Sequence, residues 1–259
     1  MSAKEELVPI LPRDAMDPWH ALRALTPARI ALGRVGAGVP TSRHLELQLA
    51  QARAKDAVWR PFDVAGLEHA LLADRHDVIR VHSSARDRRE YLARPDFGRR
   101  LAAADVETLA TRAGAYDLVF VVGDGLASLA AERHAPTLIR AVMERLGTPW
   151  RVAPIVVAEL ARVALGDEVG AALGAKITVM LLGERPGMSA QDSLGAYVTW
   201  APRLGRTDAE RNCVSNVRSE GLGYEAAART LSWLLQEVRR REQTGVSLRI
   251  GADAGQLSA

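Results

Sequence analysis

Cysteine is almost missing from this chain: of 259 residues only Cys213 carries a thiol. That rules out an internal disulfide and any zinc site built from several cysteines, and a reducing, cytosolic setting is the simple inference. Aromatic residues are scarce at 5%, and they do not alternate with basic residues along any stripe. With 34 Lys and Arg against 31 Asp and Glu, the net charge is only +3. A solvated, arginine-rich surface therefore accounts for the basic residues better than a nucleic-acid face does. Long apolar runs are missing too. None approaches the roughly 20 residues needed to cross a bilayer, and the N-terminus lacks the apolar core of a secretory signal. There is no Walker A sequence, and Gly36-Ala-Gly38 runs into Val39-Pro40 without completing a phosphate loop.

What is present reads as α/β: a small N-terminal helical domain, then a Rossmann-like, mostly parallel sheet with flanking helices. Residues 1–17 read as a poorly anchored flexible tail, broken by Pro9 and Pro12. Residues 18–75 carry a helical pattern, interrupted between Gly33 and Pro40. It resumes from His44 to Val58 with Leu45, Leu49 and Ala52 on one face, and Thr41 or Ser42 is suited to cap it. From residue 76 to 259 strands and helices alternate. Val78–His82, Leu118–Val122, Val152–Val157 and Ile177–Leu182 are the predicted strands. Helices are predicted over Pro95–Arg112, Ala130–Leu146 and Tyr224 to about Glu242, the last ending at Gly245. Four strands separated by helices predict right-handed βαβ units.

Several motifs have residue types suited to chemistry. Gly183-Glu-Arg-Pro-Gly187 follows the fourth strand and puts a carboxylate and a guanidinium at a strand's C-terminal end, where open α/β sheets bind ligands. Glu184 and Arg185 can equally form an exposed ion pair of little consequence, and both readings stay open. Asp124 lies in Gly123-Asp-Gly125 after the second strand, either as a ligand contact or as a helix cap in a turn. Gly221-Leu-Gly-Tyr-Glu-Ala226 matches a dinucleotide fingerprint in letters, but no buried strand precedes it, so it reads as a helix start. A self-contained nucleotide-binding Rossmann-like enzyme is the competing functional class. Ser83-Ser-Ala-Arg86, after the first strand, lacks the glycines it would need. Asp74-Arg-His-Asp77 resembles the start of a D-x-H-x-x-G cobalt-ligand motif, yet Ile79 stands where glycine is required. Cys213, from spacing alone, reads as a small inert core residue.

Longer segments carry a family resemblance. Tyr91-Leu-Ala-Arg-Pro-Asp-Phe-Gly-Arg-Arg-Leu101, Val122-Gly-Asp-Gly-Leu126, Leu173-Gly-Ala-Lys176, Gly183-Glu-Arg-Pro-Gly187, Tyr197-Val-Thr-Trp-Ala-Pro-Arg203 and Thr207–Asn216 occur in one order and spacing. Together they closely resemble the small (light) subunit of ethanolamine ammonia-lyase. The resemblance implies part of an adenosylcobalamin-dependent lyase that converts ethanolamine to acetaldehyde and ammonia. It implies a large TIM-barrel subunit as partner, a hetero-oligomer of αβ units, and a cobalamin site between the two chains. Enclosure in a bacterial microcompartment is compatible with it.

Carried over by motif, the cofactor-binding residues are Val163, Glu184 and Cys213; no catalytic residue and no metal ligand is implied on this chain. With the cobalt-ligand motif missing, the cofactor is expected to keep its own base as lower ligand. Substrate chemistry then falls to the other subunit, and this chain alone is expected to be inactive.

Overall fold

The computed structural model describes residues 19–248 other than Pro27 and Thr148; the predicted tail over 1–17 lies outside these. Two compact units are distinguished. In the first, which comprises the described residues up to Ala54 together with Gly187–Ser189, a short 3-10 helix spans His20–Leu25 and Val35 bridges Gly38 around a tight turn. Helix α1 (Thr41–Trp59) starts here. Thr41 is its first residue rather than a cap. Leu45 and Leu49, which the spacing places on one face, are 56% and 51% exposed, and only Ala50 is buried along the helix. The leucine spacing is helical, but it does not mark a core face.

The second unit holds helix α2 (Val64–Ala73) and everything that follows apart from Gly187–Ser189. Six strands form one sheet: β1 (Val78–His82), β2 (Tyr116–Gly123), β3 (Ile155–Glu159), β4 (Ala175–Gly183), β5 (Leu194–Trp200) and β6 (Asn212–Val217). Their order is β1-β3-β2-β4-β5-β6. The first four are parallel, as predicted, and β5 and β6 extend the sheet antiparallel. The continuous apolar runs of β2 and β4 lie at the sheet's centre, where both faces are covered. The two added strands escaped the sequence reading. The alternating polar and apolar residues of β6 suit an edge covered on one face only, which a search for continuously apolar strands passes over.

Helices α5 (Ser128–Leu146) and α7 (Tyr224–Arg241) share one face of the sheet with α2, whose Val64, Leu67 and Leu71 join the same core. Helices α4 (Ala103–Ala110) and α6 (Leu165–Leu173) bury Leu109, Leu165, Val169 and Leu173 on the other face. The predicted Pro95–Arg112 helix is shorter. A 3-10 turn occupies Phe97–Arg99, and Leu101 bridges Ser83 while its N–H donates to Glu168, so α4 begins only at Ala103. The extra helix α3 (Arg88–Ala93) was signalled by Asp87 and Glu90: Asp87 accepts from the Glu90 N–H, and Glu90 from the Arg86 N–H. Helix α7 ends at Glu242 in a left-handed conformation (φ 55°), three residues before the predicted stop at Gly245.

These connections create a switch point. The chain leaves β2 toward the α5 face and leaves β3 toward the α6 face, although β2 and β3 are neighbours. A crevice at the C-terminal ends of such strands is where open α/β sheets take their ligands.

Candidate functional site

At the switch point the loops after β2, β3 and β4 converge. Gly125, left-handed at φ +56°, sits so close to β4 that an added Cβ would lie 2.2 Å from the Gly183 carbonyl oxygen. The Leu126 N–H donates to that same carbonyl at 2.9 Å. Only glycine permits this approach, and it brings the β2 turn beside Glu184. Asp124 is buried and is no helix cap: one carboxylate oxygen accepts from the Ala161 N–H at 2.9 Å and the other from Arg88 Nη1 at 2.9 Å. It pins the β3 loop to the β2 loop. Burial pushes its pKa up to about 6, against the opposing pull of Arg88 and the backbone N–H groups.

A depression of about 190 Å³ opens above this junction, lined by residues that include Tyr91, Arg162, Val163, Glu184, Arg185 and Tyr197. Two of the three sequence-predicted contacts, Val163 and Glu184, therefore share one hollow. Val163 is half-buried in the loop between β3 and α6. Glu184 reaches sideways over the antiparallel strands. Its Oε1 accepts from Ser215 Oγ at 2.5 Å, and its Oε2 from Ser193 Oγ at 2.5 Å and from the Asn216 N–H at 3.3 Å. Gly195 makes room for it, since a Cβ there would stand 2.9 Å from Glu184 Oε1.

Cys213 is beside this hollow but does not line it. It pairs in register with Tyr197, which does. Contrary to the core reading from spacing, Cys213 is exposed. The reason is architectural. α7 covers the inner face of β5 and β6, whereas α4 and α6 cover only the parallel strands on the outer face. Gly195, Tyr197, Cys213 and Ser215 lie on that outer face. Protein still crowds the thiol, and this partial loss of water, followed by the Glu184 carboxylate, raises its pKa to about 11. A thiolate nucleophile is not what this setting produces.

The sequence reading missed Ser193, Gly195, Tyr197, Ser215, Tyr91 and Arg162. Tyr197 and Tyr91 stood in recognisable segments, but which strand face they occupied could not be read without β5 and β6. At the inner edge of the open face, Arg211 grips Asp167 of α6 with two bonds of 2.6 and 2.7 Å and donates to Thr199 Oγ1 at 2.9 Å. Both charged side chains are 3% exposed. This buried pair ties the strand carrying Cys213 to the helix that follows Val163.

Gly223 is the N-cap of α7, as a helix-start reading requires, and belongs to no dinucleotide loop. A larger hollow of about 500 Å³, with Arg75, His76, Arg112 and Trp150 in its wall, opens at the opposite ends of the strands and holds none of the predicted contacts. Among the described residues no cluster of three or more His, Cys, Asp or Glu could hold a metal ion, and no helix is long and apolar enough to cross a membrane.

Comparison with known proteins decides the family. The sequence profile for the ethanolamine ammonia-lyase light chain matches residues 16–249. The chain belongs to the ethanolamine ammonia-lyase light-chain family. Among similar proteins, the ethanolamine ammonia-lyase small subunit of Ralstonia nicotianae is 52% identical over 248 residues, covering 94% of this chain and 92% of that protein. The small subunit of Azotobacter vinelandii is 51% identical over 246 residues (93% and 91%), and that of Pseudomonas fluorescens 49% over 253 residues (96% and 92%). Within this light-chain family, identity near one half over almost the whole length fixes the identification on the fold as a unit, not on one motif.

Proposed function

We propose that this chain is the small subunit of an adenosylcobalamin-dependent ethanolamine ammonia-lyase, acting in the cytosol and forming one wall of a cobalamin site that a large subunit completes. The observation that carries the reading is the convergence of Val163, Glu184 and Cys213, far apart in sequence, on one open face within a chain of this family. A hollow of about 190 Å³ is below the usual size of an enclosing small-molecule pocket, roughly 300 to 1,000 Å³, so a group as large as cobalamin would rest against this face and be covered from the other side.

The donor set fits an amphipathic, amide-fringed group. Val163, Leu126 and Leu182 supply apolar contact. Glu184, with three hydrogen bonds already made to its two oxygens, keeps acceptor capacity for an amide N–H or a hydroxyl. Among the described residues no histidine lines the hollow, so none would be at hand to replace the cofactor's own base.

When bound, adenosylcobalamin supplies the radical chemistry of hydrogen abstraction from ethanolamine. The residues of this chain would hold and orient the cofactor and shield it from water, with no role as acid, base or nucleophile. Co-expression with the large subunit is expected to give cobalamin-dependent release of acetaldehyde from ethanolamine, with no activity from this chain alone. Activity of the isolated chain, or turnover by the complex without cobalamin, would overturn the proposal.

A further inference from the structure

Two guanidiniums, those of Arg162 and Arg185, line the hollow. Most arginines of the described chain are ion-paired; Arg88, for example, is held by Asp124, and Arg211 by Asp167. Arg162 and Arg185 both line the hollow, and among the described residues neither forms an ion pair. Arg162 is nonetheless held firmly. Its Nη2 donates to the Tyr91 carbonyl at 3.1 Å, and its guanidinium carbon lies 4.6 Å from the centre of the Tyr91 ring. Tyr91 is itself fixed, fully buried with its hydroxyl donating to the Ala161 carbonyl at 3.1 Å. The Arg162 Nε is buried without a hydrogen-bond partner. A planar cation stacked on an aromatic ring is preorganised, so little freedom remains to be lost when it binds an anion.

Among the described residues Glu184 is the single carboxylate in the wall of the hollow, and its oxygens are turned to Ser193, Ser215 and the Asn216 N–H. Two cations against one engaged acid leave the wall net positive. A cation-lined hollow too small for a whole cofactor suits one anionic arm of it. The anionic arm of a cobalamin is the phosphodiester of its nucleotide loop, and guanidiniums match phosphate oxygens in geometry and charge.

We infer that Arg162, assisted by the exposed Arg185, forms a phosphodiester subsite for the nucleotide loop of the cofactor; the assignment rests on the cobalamin reading above. The test uses the co-expressed complex with its large subunit and two ligands in equilibrium dialysis: cyanocobalamin, and dicyanocobinamide, which lacks the nucleotide loop and its phosphodiester. Replacing Arg162 by Gln should weaken cyanocobalamin binding roughly tenfold to a hundredfold, the range for a lost charge-assisted bond, and leave cobinamide binding unchanged. Arg185→Gln, a change at an exposed side chain, should give a smaller loss with the same selectivity and an unchanged melting temperature. Equal losses for both ligands, or none for either, would overturn the subsite. So would calorimetry in which Arg162→Gln abolishes binding of inorganic phosphate while cyanocobalamin affinity stays put, since that describes a free-phosphate site. A wild-type complex that binds neither corrinoid overturns the cofactor reading itself, and this inference with it.

Discussion

Ser215 donates to Glu184 Oε1 across 2.5 Å, joining the end of the last parallel strand to the sheet's outermost antiparallel strand. With Ser193 and the Asn216 N–H on the other oxygen, the carboxylate is held over the uncovered face of β5 and β6 instead of turning to solvent.

Gly195 is what leaves Glu184 its place. A Gly195→Ala methyl would stand 2.9 Å from Glu184 Oε1 and 3.0 Å from Tyr197 Cε2, so both must move. The expected outcome is a severalfold weaker affinity for cobalamin in the complex with a nearly unchanged melting temperature. Dialysis and calorimetry on the same preparation check it, and unchanged affinity would argue that Glu184 does not meet the cofactor.

The Asp167–Arg211 pair makes a stability prediction. Asp167→Ala takes the buried carboxylate from the Arg211 guanidinium and leaves it only the exposed Asp208 at 3.4 Å, which should cost about 3 to 5 kcal/mol. Replacing both residues by apolar ones of similar size should cost clearly less, because no orphaned charge remains. Urea unfolding of the two variants distinguishes these outcomes.

Asp124 makes stability depend on pH. Its folded-state pKa of about 6 lies above the ordinary carboxylate value of 3.8, so the native state binds the extra proton between these limits. This group's contribution to stability is therefore greatest below about pH 4 and falls as the pH rises through about 6. Asp124→Asn should remove that slope. Replacing Arg88 by Met takes away the cation that opposes the effect of burial and should move the titration higher, as followed by NMR of the carboxyl carbon.

Cys213 should alkylate slowly despite its exposure. With a pKa of about 11, little thiolate exists at pH 8. Iodoacetamide labelling should lag well behind that of a free thiol. Glu184→Gln should speed it, since the Glu184 charge is one of the causes of the raised value. Labelling as fast as a free thiol would show that the crowding around the sulfur is weaker than its position implies.

Much of the fold is legible in the order of the residues. β1 matches its predicted limits, and β2, β4, α5 and α7 lie within a few residues of theirs, because continuous apolar runs and a one-sided helical period answer directly to burial. Exposure is less legible. Leu45 and Leu49 have helical spacing yet are exposed, and Cys213, read from spacing as a core residue, faces outward. Periodicity tells which residues share a face; it does not tell whether anything covers that face.

The chemistry of the site divides in the same way. By itself the amino-acid sequence determined the alternating α/β pattern, the lack of a glycine fingerprint after the first strand, and a Gly-Glu-Arg-Pro-Gly turn at a strand end. Only the tertiary structure decided that Glu184 turns over the antiparallel strands, that Cys213 stands beside Tyr197 in the open, and that Arg162 stacks unpaired on Tyr91. Those relationships depend on strand order and on which face α6 leaves bare. Both are set by long-range packing among residues far apart in the chain, and no local spacing encodes them.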